Sequence, residues 1–338
     1  MDLISNSKNQ NIGLLNTFAQ DFTELMKDDS LYDLKIILPN GKTILSHKFC
    51  IIIRSAKFRK IIQESNIITE ATNPKSSHVK VKSPKIPRSQ LMEEISLKKI
   101  VGSTFLSDKA VSNAFEELFF YFYHDTLNAG NWDVIMANRE NFLAFIQLIK
   151  VLEMRHLVEP TLEKIKAYLS SNNAVDLLNG IMKLIDHLIE NEENSVAYFY
   201  GEAAQKCIEF FKSMNALVET NFRAFSMGNL SLESFNYLME NIYVKDRNNY
   251  QETNKFLLVI NWFNSTKSDT AAKTQDLFQH IEFPLIQTVT LTTKISDIKR
   301  ISPKRYQDVL DAVVIQLAKK CAEIESLQDQ LKTQYEQI

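Results

Sequence analysis

Residues 31–58, LYDLKIILPNGKTILSHKFCIIIRSAKF, hold two strand patterns, a tight turn and the start of a helix in one short span. Leu34, Ile36 and Leu38 alternate with Lys35 and Ile37, the period of a strand with one face buried. Pro39, Asn40 and Gly41 then reverse the chain into a second strand over 42–45, which makes the pair a hairpin. Ser46 stands where it can cap the apolar run Phe49, Cys50, Ile51, Ile52 and Ile53. That run breaks at Arg54-Ser55 and resumes at Phe58, so a short helix is expected to pack directly on the hairpin. His47, entering an apolar helix, reads as a hydrogen-bonded boundary residue and not as a ligand or base.

Outward from this stretch, Leu14, Leu15, Phe18, Phe22, Leu25 and Met26 recur at helical spacing ahead of the first strand. The residues alone leave open whether that apolar face covers its own domain or a second chain. On the other side, the pattern lapses over residues 63–93, which contain Pro74, Pro84 and Pro87 and the cations Lys75, Lys80, Lys82, Lys85 and Arg88. A solvated basic insertion is the expectation there, preferred over a site for an acidic partner or a phosphate backbone. A strand is expected to resume over 94–101. Ser107-Asp108 then opens a helix with Phe115, Leu118, Phe119 and Phe122 on one face, and residues 140–169 give two more amphipathic helices joined near 156–160.

From Ser171 the spacing is helical almost throughout, with polar loops between amphipathic segments, the pattern of stacked helical hairpins. At the end, Leu310, Leu317, Ile324, Leu331 and Ile338 are spaced by seven, while Val313, Val314, Cys321, Leu327 and Tyr335 fill the turns between them less regularly. A coiled-coil seam and a last helix lying along the helical stack are both open readings.

Composition excludes several functions. A net charge of −2 gives no global field for nucleic acid or an anionic membrane. Seven glycines in 338 residues, against roughly 7% in ordinary proteins, leave little material for phosphate-cradling loops. Neither GxGxxG nor GxxxxGK[ST] occurs. Cys50, Cys207 and Cys321 are odd in number and far apart, unlike a disulfide framework or a metal clip. The six histidines are dispersed, and His124-Asp125 lacks the further ligands a metal site needs. No GxSxG elbow is present, and acidic pairs such as Glu116-Glu117 read as helix surface. The chain is therefore expected to be no enzyme and to hold no metal or cofactor. No signal-peptide pattern opens it and no apolar run approaches the roughly 20 residues of a membrane helix. The expectation is a soluble protein of a reducing compartment, cytoplasmic or nuclear.

The order of these features resembles a known family. Asp33-Leu34 ahead of a strand, then His47-Lys48 followed by Ile51, Arg54-Ser55 and Phe58, is similar to the opening of a BTB (POZ) domain. The helical half resembles a BACK domain in Asn173-Ala174 with Leu177-Leu178, in Leu230-Ser231-Leu232-Glu233, in Glu252 ten residues before Trp262, and in His280 through Ile286 (HIEFPLI). The resemblance implies an α+β BTB domain followed by an all-α BACK domain and a C-terminal helix. Its divisions are an N-terminal dimerisation segment over 1–30, BTB over 31–170 with the insertion at about 63–93, BACK over 171–300, and the last helix over 301–338.

The same resemblance implies function. BTB–BACK proteins commonly dimerise through BTB and hold a cullin scaffold, presenting a substrate protein for ubiquitylation. Phe115-Glu116-Glu117 matches the hydrophobic-x-Glu motif of cullin-binding members, and Tyr123 occupies their aromatic position eight residues on. Phe115, Glu117 and Tyr123 are thus the expected cullin-binding residues, with Phe115 able to serve either an interface or the core. Leu15, Phe18 and Phe22 of the leading helix, with Asp33 and Lys48 as the charges of the dimer groove, are the expected dimer interface. No kelch or zinc-finger repeat follows in the sequence, so recruitment of the target falls to the C-terminal helix or the basic loop. The alternative is a scaffold outside any ligase that oligomerises and binds other proteins.

Overall fold

A computed structural model describes residues 31–72, 92–102, 104–186, 198–216, 219–242, 249–265, 278, 281–303 and 305–336. Leu15, Phe18, Phe22 and most of the basic insertion lie outside these residues. The described chain is mostly helical, with a small three-stranded sheet near its start followed by helices. It divides into two compact units, Met1–Lys164 with Leu184–Tyr200, and Ile165–Lys183 with Gly201–Ile338.

The first unit is built on the hairpin. Strands β1 (Leu34–Ile37) and β2 (Thr43–Ser46) pair antiparallel with Ile36 opposite Ile44. Gly41 takes φ 86° in the turn, a conformation in which a Cβ is strained. Asn40 Oδ1 accepts from Lys42 N at 2.9 Å and Leu38 N donates to Lys42 O at 2.8 Å within the turn, while Asn40 N donates to Ser112 Oγ at 3.2 Å, 72 residues on. Strand β3 (Glu93–Ser96) joins the other edge of β1 in parallel, Ile95 beside Ile36, which gives the order β2-β1-β3. Two parallel strands cannot be joined by a tight turn. The crossover begins with α1 (Lys48–Arg54) and α2 (Ala56–Thr72).

Four expectations are corrected here. Ser46 does not cap α1; His47 is the N-cap, and Ser46 Oγ faces the Tyr123 hydroxyl at 3.2 Å. Residues 63–72 are not loop but the end of α2, because nothing stops the helix before Pro74, which disfavours helical geometry at Asn73. Residues 94–101 are not one strand: after β3 the spacing of Leu97 and Ile100 gives a short helix, α3 (Leu97–Val101), ended by Gly102 at φ 73°. The two helices expected over 140–169 turn at 152–154, and Pro160 sits inside the second of them.

Helix α4 (Asp108–His124) starts on Ser107, whose Oγ accepts from Ala110 N at 3.2 Å, and stops on Asp125 in the left-handed region at φ 58°. Helices α5 (Ala129–Met136), α6 (Arg139–Val151) and α7 (Arg155–Tyr168) follow. Every residue of α6 from Phe142 to Ile149 is buried, and α4 packs on it more extensively than on any other element. A helix apolar all round belongs inside. Its one buried amide, Gln147, accepts from Thr104 Oγ1 at 3.1 Å.

The helices of the second half are α8 (Ala174–Asp186), α9 (Phe199–Ser213), α10 (Glu219–Phe222), α11 (Leu232–Asn241), α12 (Asn249–Ser265), α13 (Thr288–Thr293), α14 (Ile295–Ile301) and α15 (Tyr306–Glu336). Trp262, 1% exposed, anchors the second unit: its indole stacks on Phe235 at 4.3 Å and its Nε1–H donates to Leu230 O at 3.0 Å. Gly228 lies so close to α12 that an added Cβ would stand 2.6 Å from Ser265 Cβ. Gly228→Ala is therefore expected to cost about 1–3 kcal/mol of stability, as overpacking does, read from the denaturant midpoint. A companion Ser265→Gly should restore most of it, and an unchanged midpoint in Gly228→Ala would refute the contact.

Candidate partner-binding surface

The residues expected to bind a partner sort into two kinds. Phe115 is fully buried, its ring 6.4 Å from Phe58 and 6.1 Å from Phe122. It faces the same way as Leu118 and Phe122, and this corrects its expected place on a partner-facing surface. Tyr123 is also inside, at 8% exposure. Its hydroxyl accepts from His47 N at 3.1 Å and lies 3.2 Å from both Ser46 Oγ and His47 Nδ1, so it ties the end of α4 to the hairpin. Burial pushes its phenol up from the ordinary value. Tyr123 acts within the chain, the second correction.

Glu117 is half-buried at the edge of α4, where its Oε2 accepts from Asn131 Nδ2 at 2.8 Å. The neighbouring Glu116 pairs with Lys42 Nζ at 2.7 Å. Along the same side run Asn113, Phe120 and His124, the last two stacked with ring centroids 3.9 Å apart. Asn113, Glu116, Glu117, Phe120 and His124, with Asp108, Lys109 and Phe119, are the residues of α4 that the core does not fully cover. Phe120 and His124 were missed in the sequence reading; the signal was present, because 113, 116, 120 and 124 interleave with the inward stripe at 111, 115, 118 and 122.

At the expected dimer groove, Asp33 Oδ1 accepts from Lys48 N at 2.7 Å and so caps α1 from outside the helix. Lys48 Nζ reaches Glu93 at 3.1 Å. The Asp33 carboxylate thus holds the Lys48 backbone, while the Lys48 ammonium pairs with Glu93 at the start of β3. Beside them α1 exposes Phe49 (57%) and Ile53 (43%), one turn apart. Both belong to the apolar run that the sequence expects to pack on the hairpin. The helix buries Cys50 and Ile51 instead, since only one side of α1 meets the unit's interior.

A cleft of about 400 Å³ opens in the same unit between Arg54, Tyr121, Asp125, Trp132, His156 and Pro160. Its charged groups are engaged with each other: Arg54 meets Asp125 at 2.9 Å and lies 6.0 Å from the Tyr121 ring centroid. Burial, then the Asp125 charge, pushes the Tyr121 phenol up to about 12. Thr126, also in the cleft, donates its Oγ1–H to His124 O at 3.4 Å. Cys50 is pushed up to about 11 and Cys207 further still, both chiefly by burial, which holds them as thiols. Among the described residues no three His, Cys, Asp or Glu side chains stand together as a metal cage, and no helix is long and apolar enough to cross a membrane. No protein-family model matches the chain, and no curated protein is significantly similar to it.

Proposed function

We propose that the chain is a BTB–BACK adaptor, a dimeric protein that holds a cullin scaffold and recruits a substrate protein to a ubiquitin ligase. The observation that carries the reading is the element order of the first unit. A hairpin runs at once into two helices, the returning strand joins β1 in parallel, and a capped helix follows with an acidic and aromatic edge. The BACK-like signals of the sequence continue the same reading into the helical second unit, where Glu252 and Trp262 are both buried.

In this reading the cullin-facing residues are Glu117 with Phe120 and His124, while Phe115 and Tyr123 hold α4 in place from inside. The dimer groove falls to Asp33 and Lys48 with the exposed Phe49 and Ile53 next to them. Aromatic side chains are among the usual anchors of binding hot spots.

The test is co-purification from native lysate, with cullin identified by mass spectrometry. The wild-type chain is expected to retain a cullin. The double variant Glu117→Lys, Phe120→Ala is expected to lose about 2 kcal/mol of binding, roughly 30-fold, with its thermal midpoint nearly unchanged. If the wild-type chain retains no cullin, the adaptor reading fails and a non-ligase scaffold takes its place.

A further inference from the structure

Helix α15 has 31 residues, about 46 Å at 1.5 Å per residue. Only its beginning is covered. Val309, Ala312 and Val313 are buried, and Gln316 Nε2 donates to Pro284 O at 2.8 Å and to Ile286 O at 2.7 Å. From Leu317 to Thr333 every residue is exposed. Within that exposed length Leu317, Ile324, Leu327 and Leu331 are 49–57% accessible and fall on one side. Most of a helix's stability in a protein comes from packing of its apolar face, and here that face is uncovered beyond Leu317.

We infer that the cover is the same segment of a second copy of this chain, wound in parallel and in register as a two-stranded coiled coil. The heptad places Leu317, Ile324 and Leu331 at d and Val314, Cys321 and Gln328 at a. Around this seam the charges complement themselves. Lys320 falls at g and Glu325 at the following e, the two positions that meet across a parallel interface. Both are exposed, and five residues apart on one helix they cannot pair with each other. The symmetry of the dimer makes the contact twice. Leu327 at g meets Lys332 at e of the other strand, whose methylene stem can cover it. Gln328, the polar a residue, faces its own copy and disfavours slipped registers. An antiparallel pair sets g against g and e against e: Lys320 and Leu327 at g offer the lysine no carboxylate, whereas Glu325 and Lys332 at e complement each other, so orientation is read from the cross-linking pattern.

The arrangement brings each Cys321, exposed and free, opposite its own copy, because residues at a meet at the seam. Cross-linking of the full chain with diamide, which takes two electrons and two protons from a thiol pair, reads this directly on a non-reducing gel. Cys321 should give a dimer band that Cys321→Ser abolishes. In the Cys321→Ser background, Gln328→Cys at a should cross-link comparably, and Ser326→Cys on the outer f position at least tenfold more slowly. Ile324→Asp, at an exposed position that the fold of one chain does not use, should slow cross-linking at Cys321 by a similar factor. Equal rates at 326 and 328 would mean unpatterned collision and would overturn the inference. So would absence of the band, the outcome for an antiparallel pair or for a helix covered by a different protein. The pattern tests the register of α15 alone, so it stands or falls independently of cullin binding.

Discussion

Phe115→Ala lowers the unfolding free energy by about 3–5 kcal/mol, the cost of deleting a buried phenylalanine, and Phe120→Ala, five residues on, leaves it within about 0.5 kcal/mol, as surface changes do. The contrast follows from where the two rings lie. Phe115 is fully buried in a cluster with Phe58 of α2 and Phe122 of α4, whose own centroids are 6.3 Å apart. Removing the ring opens a void between two helices held apart by the rest of the unit, so little collapse can offset the loss. Phe120 lies at the edge of α4 with its ring stacked on His124. Against a typical domain stability of about 5–15 kcal/mol, the first change is a large fraction of the total, and Phe115→Leu should recover most of it by restoring volume. The measurement is a denaturant titration of the three variants beside the wild type. An unchanged midpoint in Phe115→Ala would return that ring to the surface.

Why one aromatic of α4 was placed and another misplaced has a physical answer. Residues 118–123 read Leu-Phe-Phe-Tyr-Phe-Tyr, so apolar side chains occupy nearly every direction around the helix. Periodicity marks a face only when the remainder is polar. The glutamates at 116 and 117 gave an outer edge, but the neighbouring aromatics could not be divided between core and edge without the position of α6. Tyr123 illustrates the same limit. Its partners, Ser46 and His47, lie more than 70 residues away, and nothing local announces them. The hairpin was legible for the opposite reason. Alternation, a Pro-Asn-Gly turn and the flanking Asp33 are all local signals, and they act together. The start of α4 was legible in the same way from Ser107-Asp108. Strand β3 was drawn too long because its pairing with β1 ends at Ser96, a tertiary fact, while Leu97 to Val101 fits either period over so few residues.

The C-terminal segment shows what seven-residue spacing can and cannot decide. The first turns of α15 lie against the 283–288 stretch through Gln316, and the exposed part beyond them leaves the heptad side uncovered. Spacing shows an apolar side, and burial shows what that side meets.

Glu252 carries the second large effect. It is 0% exposed, its Oε2 accepts from Glu282 N at 3.0 Å, and its Oε1 lies 3.7 Å from Lys255 Nζ, itself 3% exposed. Glu252→Met takes away the carboxylate and leaves an ammonium buried beside a methyl group, a change expected to cost about 3–5 kcal/mol. The double change Glu252→Met, Lys255→Met should cost less than the single one, because what destabilises is a buried ammonium deprived of this carboxylate and not the loss of an attraction already offset by desolvation. Glu282 N loses this carboxylate in both, so the double variant should remain below the wild type by the roughly 1.5–3 kcal/mol that a hydrogen bond to a charged group contributes. Fluorescence of the buried Trp262, in a Trp132→Phe background that removes the chain's other tryptophan, follows the unit that contains the pair through a urea titration. If Glu252→Met costs the same whether position 255 is lysine or methionine, the two side chains are not coupled. Glu252 then stabilises the second unit only as the acceptor that fixes the backbone at Glu282.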